Sequence, residues 1–91
     1  MRNIDHVIVG HDGGAGARTG DVFDPNTGQV QARVQLGTQA DLDKAVAAAL
    51  AAQPGWAATN PQRRARVMFA FKALVEKNME ELAHLLSSEH G

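Results

Sequence analysis

The amino-acid sequence predicts an α+β fold in which short strands and a hairpin are followed by two to three α-helices. Apolar and polar residues alternate most clearly in residues 29–36, a period-two pattern that indicates a half-buried strand. After Gly37 the chain becomes rich in alanine and leucine, and its apolar residues recur every three or four positions, as on one face of a helix. We therefore divide the chain into a strand-and-loop part, residues 1–37, and a helical part, residues 38–91.

Two short extended segments are predicted before the alternating one. Residues 6–9 are rich in β-branched side chains and form a strand candidate. The segment "DVFDP", residues 21–25, is the second, because Pro25 keeps Asp24 out of the helical region. A flexible surface loop, "GHDGGAGARTG", connects the two.

The strand-forming part ends in a predicted β-hairpin. In "DPNTG", Pro25 sets its φ angle in advance, and Asn26 and Gly28 tolerate positive φ, which favours a turn. The alternating segment follows directly, and its apolar residues share one face of the strand. These residues are Val30, Ala32, Val34 and Leu36. The turn should pair this strand with "DVFDP".

The first helix is predicted to begin after Thr38. The Thr38 hydroxyl can cap the helix while the Asp41 carboxylate reaches back, as in a capping box. An apolar stripe follows at intervals of four residues, at Leu42, Val46 and Leu50. We expect Pro54 and Gly55 to end this helix and Trp56 to lie in the connection.

Two further helix starts are predicted at asparagines. Asn60 is followed by Pro61, whose missing N–H costs nothing at the first helical position. Asn78 is followed three residues later by Glu81, which fits a capping box and a third helix. The apolar stripes of these helices comprise Met68, Phe71, Leu74, Val75, Met79, Leu82 and Leu86. Gly91 is a plausible C-terminal stop.

Composition excludes several classes of function. With 9 basic and 10 acidic residues the net charge is −1, so no overall field favours nucleic acid or an anionic membrane. The chain has no cysteine, which excludes a disulfide framework, a thiolate nucleophile and a cysteine-based zinc site. No apolar stretch is long enough for a membrane span or a signal-peptide core. We expect a soluble, cytoplasmic protein.

No group of residues predicts chemistry by itself. The glycine-rich loop lacks both the dinucleotide fingerprint and the lysine of a P-loop. The four histidines, His6, His11, His84 and His90, do not show metal-ligand spacing. Arg63, Arg64 and Arg66 lie in the first turns of a helix, where cations oppose the macrodipole, so carboxylates elsewhere are their expected partners. Residues 87–90 contain the residue types of a catalytic triad, but neighbours on a helix point in different directions.

Several motifs together resemble the N-terminal portion of the aldehyde dehydrogenase superfamily. The superfamily shows an N-P-x-T-G turn after a strand, and here Asp24 replaces the asparagine in "DPNTG". An alanine-rich helix, a tryptophan and an arginine-containing helix follow in the same order. The segments "NPQRRARVMF" and "LLSSEHG" resemble those typical of the CoA-acylating methylmalonate-semialdehyde (malonate-semialdehyde) dehydrogenase branch. The resemblance covers residues 4–91.

The resemblance implies a parent enzyme several times longer, with a Rossmann-type nucleotide domain of which this chain is part. Such an enzyme forms a thiohemiacetal on a cysteine, passes a hydride to NAD to give a thioester, and transfers the acyl group to coenzyme A. No catalytic or cofactor-binding residue of that mechanism matches a position in this chain, and we expect the chain alone to bind no cofactor. The resemblance does imply that the backbone carbonyls of Val22 and Phe23 help to hold a monovalent cation. The parent is expected to be a homo-oligomer.

Two hypotheses follow. In the first, the chain is a structural N-terminal fragment of such a dehydrogenase, and its apolar helix faces pack on the remainder of the enzyme. In the second, it is a stand-alone helical interaction or oligomerisation module derived from such an enzyme, with self-association through the same faces. In both, apolar helix surface has to be covered by something outside residues 1–91 of a single chain.

Overall fold

A three-stranded sheet is followed by three α-helices in the computed structural model, which describes residues 1–11 and 18–91. The strands come first and the helices after them. The elements are β1 (Arg2–Ile4), β2 (Thr19–Phe23), β3 (Val30–Gln35), α1 (Gln39–Ala58), α2 (Pro61–Lys77) and α3 (Met79–His90). The predicted α+β class is confirmed.

The predicted hairpin is confirmed, and its second strand is the centre of the sheet. The strand order is β1-β3-β2, with β2 antiparallel to β3. The connecting turn closes with a 2.7 Å hydrogen bond from the Gly28 N–H to the Asp24 carbonyl, and Gly28 has φ 75°. Asp24 also caps the turn, because its side chain accepts from the Asn26 N–H at 2.8 Å. A β-bulge interrupts the pairing between Val22 and Phe23.

The strand expected at residues 6–9 is wrong, and the first strand lies further towards the N-terminus. β1 pairs in parallel with β3, and its last residue, Ile4, is opposite Val34. Because β3 ends at Gln35 and the chain then turns into α1, residues beyond Ile4 have no strand beside them to complete a ladder. Val7 is 98% exposed, as expected for a β-branched residue outside a sheet.

Helix α1 begins as expected but does not end where it was expected to. Its capping box is present, with Thr38 and Asp41 as the reciprocal pair. Pro54 and Gly55 do not stop it, and Trp56 lies inside the helix rather than in a connection. An interior proline removes one hydrogen bond, whereas the surrounding alanines favour the helix. The helix ends at Thr59, whose N–H and hydroxyl donate to the Trp56 and Gly55 carbonyls.

Helices α2 and α3 start at the predicted residues, but α3 starts without the predicted side-chain cap. The Asn60 side chain accepts from the Arg63 N–H at 2.9 Å, as predicted. Asn78 makes no side-chain cap for α3, so the predicted capping box with Glu81 is wrong. Its amide instead donates to the Leu74 carbonyl at 2.7 Å and closes the end of α2. Gly91 ends α3 with φ 95°, as expected.

The fold is flat and buries little. Its extents are 48 × 34 × 15 Å, and its radius of gyration is 17.0 Å, against about 12 Å for a compact domain of this length. Among the described residues only Ala32, in the middle of β3, is buried. The thickness of 15 Å is about that of a single layer of helices with their side chains, so the elements lie side by side rather than around a common core.

Candidate functional site

The C-terminal end of α3 is fastened to the sheet by two polar contacts and lies beside the hairpin turn. The Arg2 guanidinium on β1 lies 3.3 Å from the Glu89 carboxylate. The Gln31 side-chain amide on β3 donates to the Ser88 carbonyl at 2.7 Å. Gly91 lies beside the hairpin turn, since a Cβ built on it would come within 3.6 Å of the Pro25 ring. We call this region the sheet–α3 anchor.

Gln31 is the functional residue of the anchor that the sequence did not reveal. In the alternating pattern it belongs to the polar face of β3, yet its side chain is half-buried. The same amide nitrogen that reaches Ser88 also lies 3.4 Å from the Phe23 carbonyl. Gln31 is the extra residue of the β-bulge, because Val22 pairs with Ala32 and Phe23 with Val30. Because the bulge is not visible in a period-two pattern, nothing in the sequence separates Gln31 from its polar neighbours.

The two residues predicted to offer carbonyls to a cation, Val22 and Phe23, lie together at this bulge. Bulges often re-aim backbone groups out of a regular ladder. The Phe23 carbonyl already accepts from Gln31, and the neighbouring Asp24 carboxylate is engaged in the turn. Two carbonyls are a minority of the six or more oxygens that a hard cation usually takes. Cation binding by this pair stays a prediction.

A second polar cluster joins the N-terminal segment to the start of α1. The Asp41 carboxylate accepts from the Thr38 N–H at 2.9 Å and from the Thr38 hydroxyl at 3.0 Å. His6 Nε2 lies 3.5 Å from the same carboxylate. The hydrogen bond from the Thr38 backbone, followed by that from its hydroxyl, lowers the pKa of Asp41, and the charges of His6 and Lys44 contribute in the same direction. The cluster fixes the helix start. Within it, His6 Nε2 is shielded from solvent and has no hydrogen-bond partner among the described residues.

The remaining candidates from the sequence do not form a reactive group. Ser88 donates its hydroxyl to the Leu85 carbonyl at 2.8 Å, and Glu89 pairs with Arg2, so the triad-like residues 87–90 have separate roles. His11 and His84 are exposed. The central part of the glycine-rich loop, residues 12–17 including Asp12, lies outside the described residues. Within the described ranges, no cluster of three or more histidine or acidic side chains could hold a metal ion.

The arginines at the start of α2 have no acidic partner in the described part of the chain. Arg63, Arg64 and Arg66 nevertheless lie close together on the first two turns of α2. Arg64 is half-buried, and its Nε is shielded from solvent without a hydrogen-bond partner among these residues. Arg63 and Arg66 are exposed, so their guanidinium groups are the ones at this end of α2 that can meet carboxylates from outside the described residues.

Much of the apolar surface of the helices is uncovered. α2 and α3 flank a groove of 420 Å³ that is lined by Phe71, Leu74, Val75, Asn78, Glu81, Leu82 and Leu85. Phe69 is 70% exposed and Leu86 67% exposed on the same pair of helices. On α1, Leu50 is 68% exposed. Exposed apolar residues in such number are typical of surfaces that other residues cover. We call α1 and α2 together the open helical layer.

None of the helices in residues 1–11 and 18–91 combines the length and the apolar content that crossing a bilayer requires.

Comparison with known proteins adds a family to this geometry. The model of the aldehyde dehydrogenase family matches residues 13–91. A malonate-semialdehyde dehydrogenase of Pseudomonas aeruginosa is 41% identical over 91 residues, which are 100% of this chain and 18% of that protein. Malonate-semialdehyde dehydrogenase 1 of Geobacillus thermodenitrificans is 45% identical over 75 residues, 82% of this chain and 16% of that protein. The chain thus spans less than a fifth of these relatives.

A solved structure matches over the whole chain. It is a protein of Sinorhizobium meliloti assigned as a methylmalonate-semialdehyde dehydrogenase and crystallised in complex with NAD. It is 50% identical and superposes with a TM-score of 0.87 on 100% of this chain, which corresponds to 19% of that protein. The matching segment of that larger protein therefore has the same flat arrangement of strands and helices.

Proposed function

The chain belongs to the aldehyde dehydrogenase family, and from this premise we propose that it is the structural N-terminal segment of an NAD-dependent, CoA-acylating methylmalonate-semialdehyde dehydrogenase. Its relatives in the comparisons are malonate- and methylmalonate-semialdehyde dehydrogenases. The whole enzyme would oxidise a semialdehyde through a cysteine thioester to an acyl-CoA, with NAD as hydride acceptor. This chain would not supply the cysteine nucleophile, because it contains no cysteine.

The observation that carries the proposal is the match to the Sinorhizobium meliloti structure, with 50% identity and a TM-score of 0.87 over all 91 residues. The accessible surface of this chain is 7342 Å², whereas about 5,100 Å² is expected for a compact protein of its mass. In a protein about five times longer, the remaining residues would cover the apolar surface that this chain leaves exposed. The flatness of the fold and the uncovered helix faces then have one explanation.

The residues described here do not fit a bound dinucleotide. A pyrophosphate prefers free N–H groups at a helix N-terminus that follows a strand. The connection from β3 to α1 is the strand-to-helix junction of this chain. There the Asp41 N–H already donates to Thr38, and the Asp41 carboxylate places a negative charge on the first turn. NAD and coenzyme A would therefore be held by the rest of the enzyme.

The role of this segment would be to cover the nucleotide-binding part of the enzyme with helices held in a fixed orientation. The sheet–α3 anchor fixes α3 relative to the hairpin through Arg2 and Gln31. The caps at Thr38 and Asn60 fix where α1 and α2 begin. The apolar stripes of α1 and α2 then face the nucleotide-binding part of the enzyme. The parent is proposed to be a cytoplasmic homo-oligomer, as its family resemblance implies.

A chimera tests the proposal directly. The matching residues of the Sinorhizobium meliloti protein are replaced by residues 1–91 of this chain. We expect a folded chimera that retains the NAD-dependent activity of the recipient. A matched pair of chimeras carries either Phe71→Asp, on the uncovered face, or Lys72→Asp, on a 72% exposed side chain. Loss of activity in the first and not in the second supports packing of α2 on the recipient. An inactive or aggregated parent chimera contradicts the proposal.

The coding sequence separates this function from the alternative of a stand-alone module. The proposal expects the reading frame to continue beyond codon 91 into a segment that encodes a cysteine nucleophile and a nucleotide-binding loop. A stop codon at that point favours the module. Calorimetry with NAD and the 91-residue chain should show no saturable binding, and a saturable isotherm would contradict the assignment of NAD to the rest of the enzyme.

A further inference from the structure

The N-terminal segment, residues 5–9, continues beyond β1 along the start of α1 without a strand beside it. Its exposure nevertheless alternates, because His6 and Ile8 are half-buried between exposed neighbours. Ile8 lines two apolar grooves together with Ala45 of α1. His6 therefore occupies one of the inward positions of an extended segment, where an apolar side chain is the usual occupant.

The imidazole of His6 lies against the first turn of α1. Its Nε2 is 3.5 Å from Asp41 Oδ2, and the two side chains are only 23% and 16% exposed. Gly37 closes another side of the ring, since a Cβ built there would come within 3.9 Å of it. Nε2 is shielded from solvent and has no hydrogen-bond partner among the described residues. A proton on this ring would therefore add a charge that water screens poorly and that faces a carboxylate.

The other charges around the ring do not replace the carboxylate. Among the described acidic groups, only Asp41 forms an ion pair with this imidazole. Lys44 lies on the same helix, Arg18 donates to the Gly37 carbonyl at 2.7 Å, and Asp5 is an exposed neighbour in the segment. The N-terminus of α1 opposes a cation here with a partial charge of about +0.5. The carboxylate carries a full charge, so attraction exceeds this repulsion.

We propose that the charge of His6 controls the attachment of the N-terminal segment to α1: the imidazolium holds residues 5–9 against the first turn, and the neutral ring allows them to detach. A histidine side chain ordinarily loses its proton between about pH 5 and 8. Asp41 stays ionised over that range, because hydrogen bonds from the Thr38 backbone and hydroxyl hold its pKa below 3.8. The attraction is therefore present at the acidic end of the range and is lost as the pH rises. The inference does not depend on the proposed function, because all of its contacts lie within the described residues.

Methyl NMR of the 91-residue chain tests this, because its two isoleucines lie on either side of His6. Ile8 reports on the segment, and Ile4, which is opposite Val34 in the sheet, is the internal control. Between about pH 5.5 and about pH 8, the mobile population of the Ile8 methyl group should rise about two- to fivefold, as expected for a partly exposed ion pair. The Ile4 methyl group should not change. An Ile8 mobility that stays constant or falls overturns the proposal, as does equal mobility of both methyl groups at the acidic end.

Matched variants assign the response to the pair. His6→Gln leaves the α1 cap in place and should abolish the methyl response to pH. Asp41→Asn should abolish it as well, with circular dichroism at both pH values to confirm the helix content. The controls are His11→Gln, at an exposed histidine, and Asp43→Asn, at an exposed carboxylate of α1, and both should retain the response. A response that survives His6→Gln or Asp41→Asn, or that either control removes, contradicts the proposal.

Discussion

The sheet–α3 anchor and the open helical layer differ in what holds them. In the anchor, residues far apart in sequence make the contacts, such as Arg2 with Glu89 and Gln31 with Ser88. The only buried residue among those described, Ala32, is next to Gln31 on β3. In the layer, the specific hydrogen bonds are local and come from caps at Thr38 and Asn60. The anchor therefore has tertiary contacts of its own, whereas the helices of the layer have apolar faces that no described residue covers.

The difference shows that a sequence can specify where its helices begin and end without supplying the residues against which they pack. Caps and helix propensity determine where a helix begins and ends. They do not determine what the helix packs against, and most helical stability in proteins comes from burial of an amphipathic face. Substitutions in the anchor should therefore be costly in the 91-residue chain. Substitutions on exposed positions of the layer should be costly only when the layer is covered.

The largest effect is expected at the centre of the anchor. Ala32→Asp places a carboxylate at a fully buried position without a partner, which should lower the free energy of unfolding by about 3 kcal/mol or more. The matched control is Ala47→Asp at an exposed position of α1, where only helix propensity is lost. Chemical denaturation followed by circular dichroism measures both. Equal losses would remove the distinction between the two regions.

A smaller loss is expected at Gln31. Gln31→Leu removes the donor to the half-buried Ser88 carbonyl and should cost about 2 kcal/mol. Gln29→Leu serves as the control, because the Gln29 side chain is exposed at the end of the turn. The same denaturation experiment applies, and the amide resonances of α3 should shift only in the Gln31 variant. An unperturbed α3 would show that this hydrogen bond does not hold the helix to the sheet.

The caps of the layer should have moderate effects. Thr38→Ala removes a side-chain acceptor for the Asp41 N–H and should cost about 1 kcal/mol. Helix content should fall at the start of α1 and not in α3, which amide exchange resolves by residue. If exchange in the anchor accelerates as much as in α1, the two regions are one cooperative unit.

The same cap gives the layer a dependence on pH. The pKa of Asp41 is lower in the folded chain than its ordinary value of 3.8, because the Thr38 N–H and hydroxyl donate to the carboxylate. The stabilisation is therefore complete above that ordinary value and is lost as the pH falls through the lower pKa of the folded state. Acid titration of the helix signal should show a step below about pH 4 that Asp41→Asn removes. A step that persists in that variant would have another origin.

The smallest effect is expected at the ion pair of the anchor. Arg2 and Glu89 are both about half exposed, at 47% and 45%, so solvent and salt screen their attraction. Arg2→Gln should cost less than about 1 kcal/mol, and the cost should shrink further in high salt. Glu89→Gln is the reciprocal control and should give the same salt dependence. A loss larger than that of Gln31→Leu would mean that charge, and not the amide bond, fastens α3.

The sequence predicted local features well because their signals are local. The Thr38–Asp41 box, the Asn60–Pro61 start and the "DPNTG" turn each depend on residues within a few positions. The end of α1 was missed because Pro54 weakens a helix without forbidding it, and the flanking alanines compensate. Asn78 was assigned to the wrong helix end because an asparagine between two helices can serve either one.

Features that depend on distant residues could not be predicted. β1 was placed too late because its length is set by its partner, β3, and not by its own β-branched residues. The role of Gln31 depends on a bulge and on α3. The Val22 and Phe23 carbonyls came from the family resemblance alone, and the structure places them at that bulge without testing cation binding. The uncovered helix faces follow from the amphipathic stripes, but their extent is visible only in the fold.

Residue-resolved hydrogen exchange of residues 1–91, as a separate chain and within the Sinorhizobium meliloti chimera, tests the central claim most directly. The claim is that the sheet–α3 anchor holds its own structure and that the helical layer depends on a covering surface. We predict that amides of β3 are protected to the same degree in both proteins, and that amides of α2 are weakly protected in the separate chain and gain protection in the chimera. Protection of α2 equal to that of β3 in the separate chain would contradict the account.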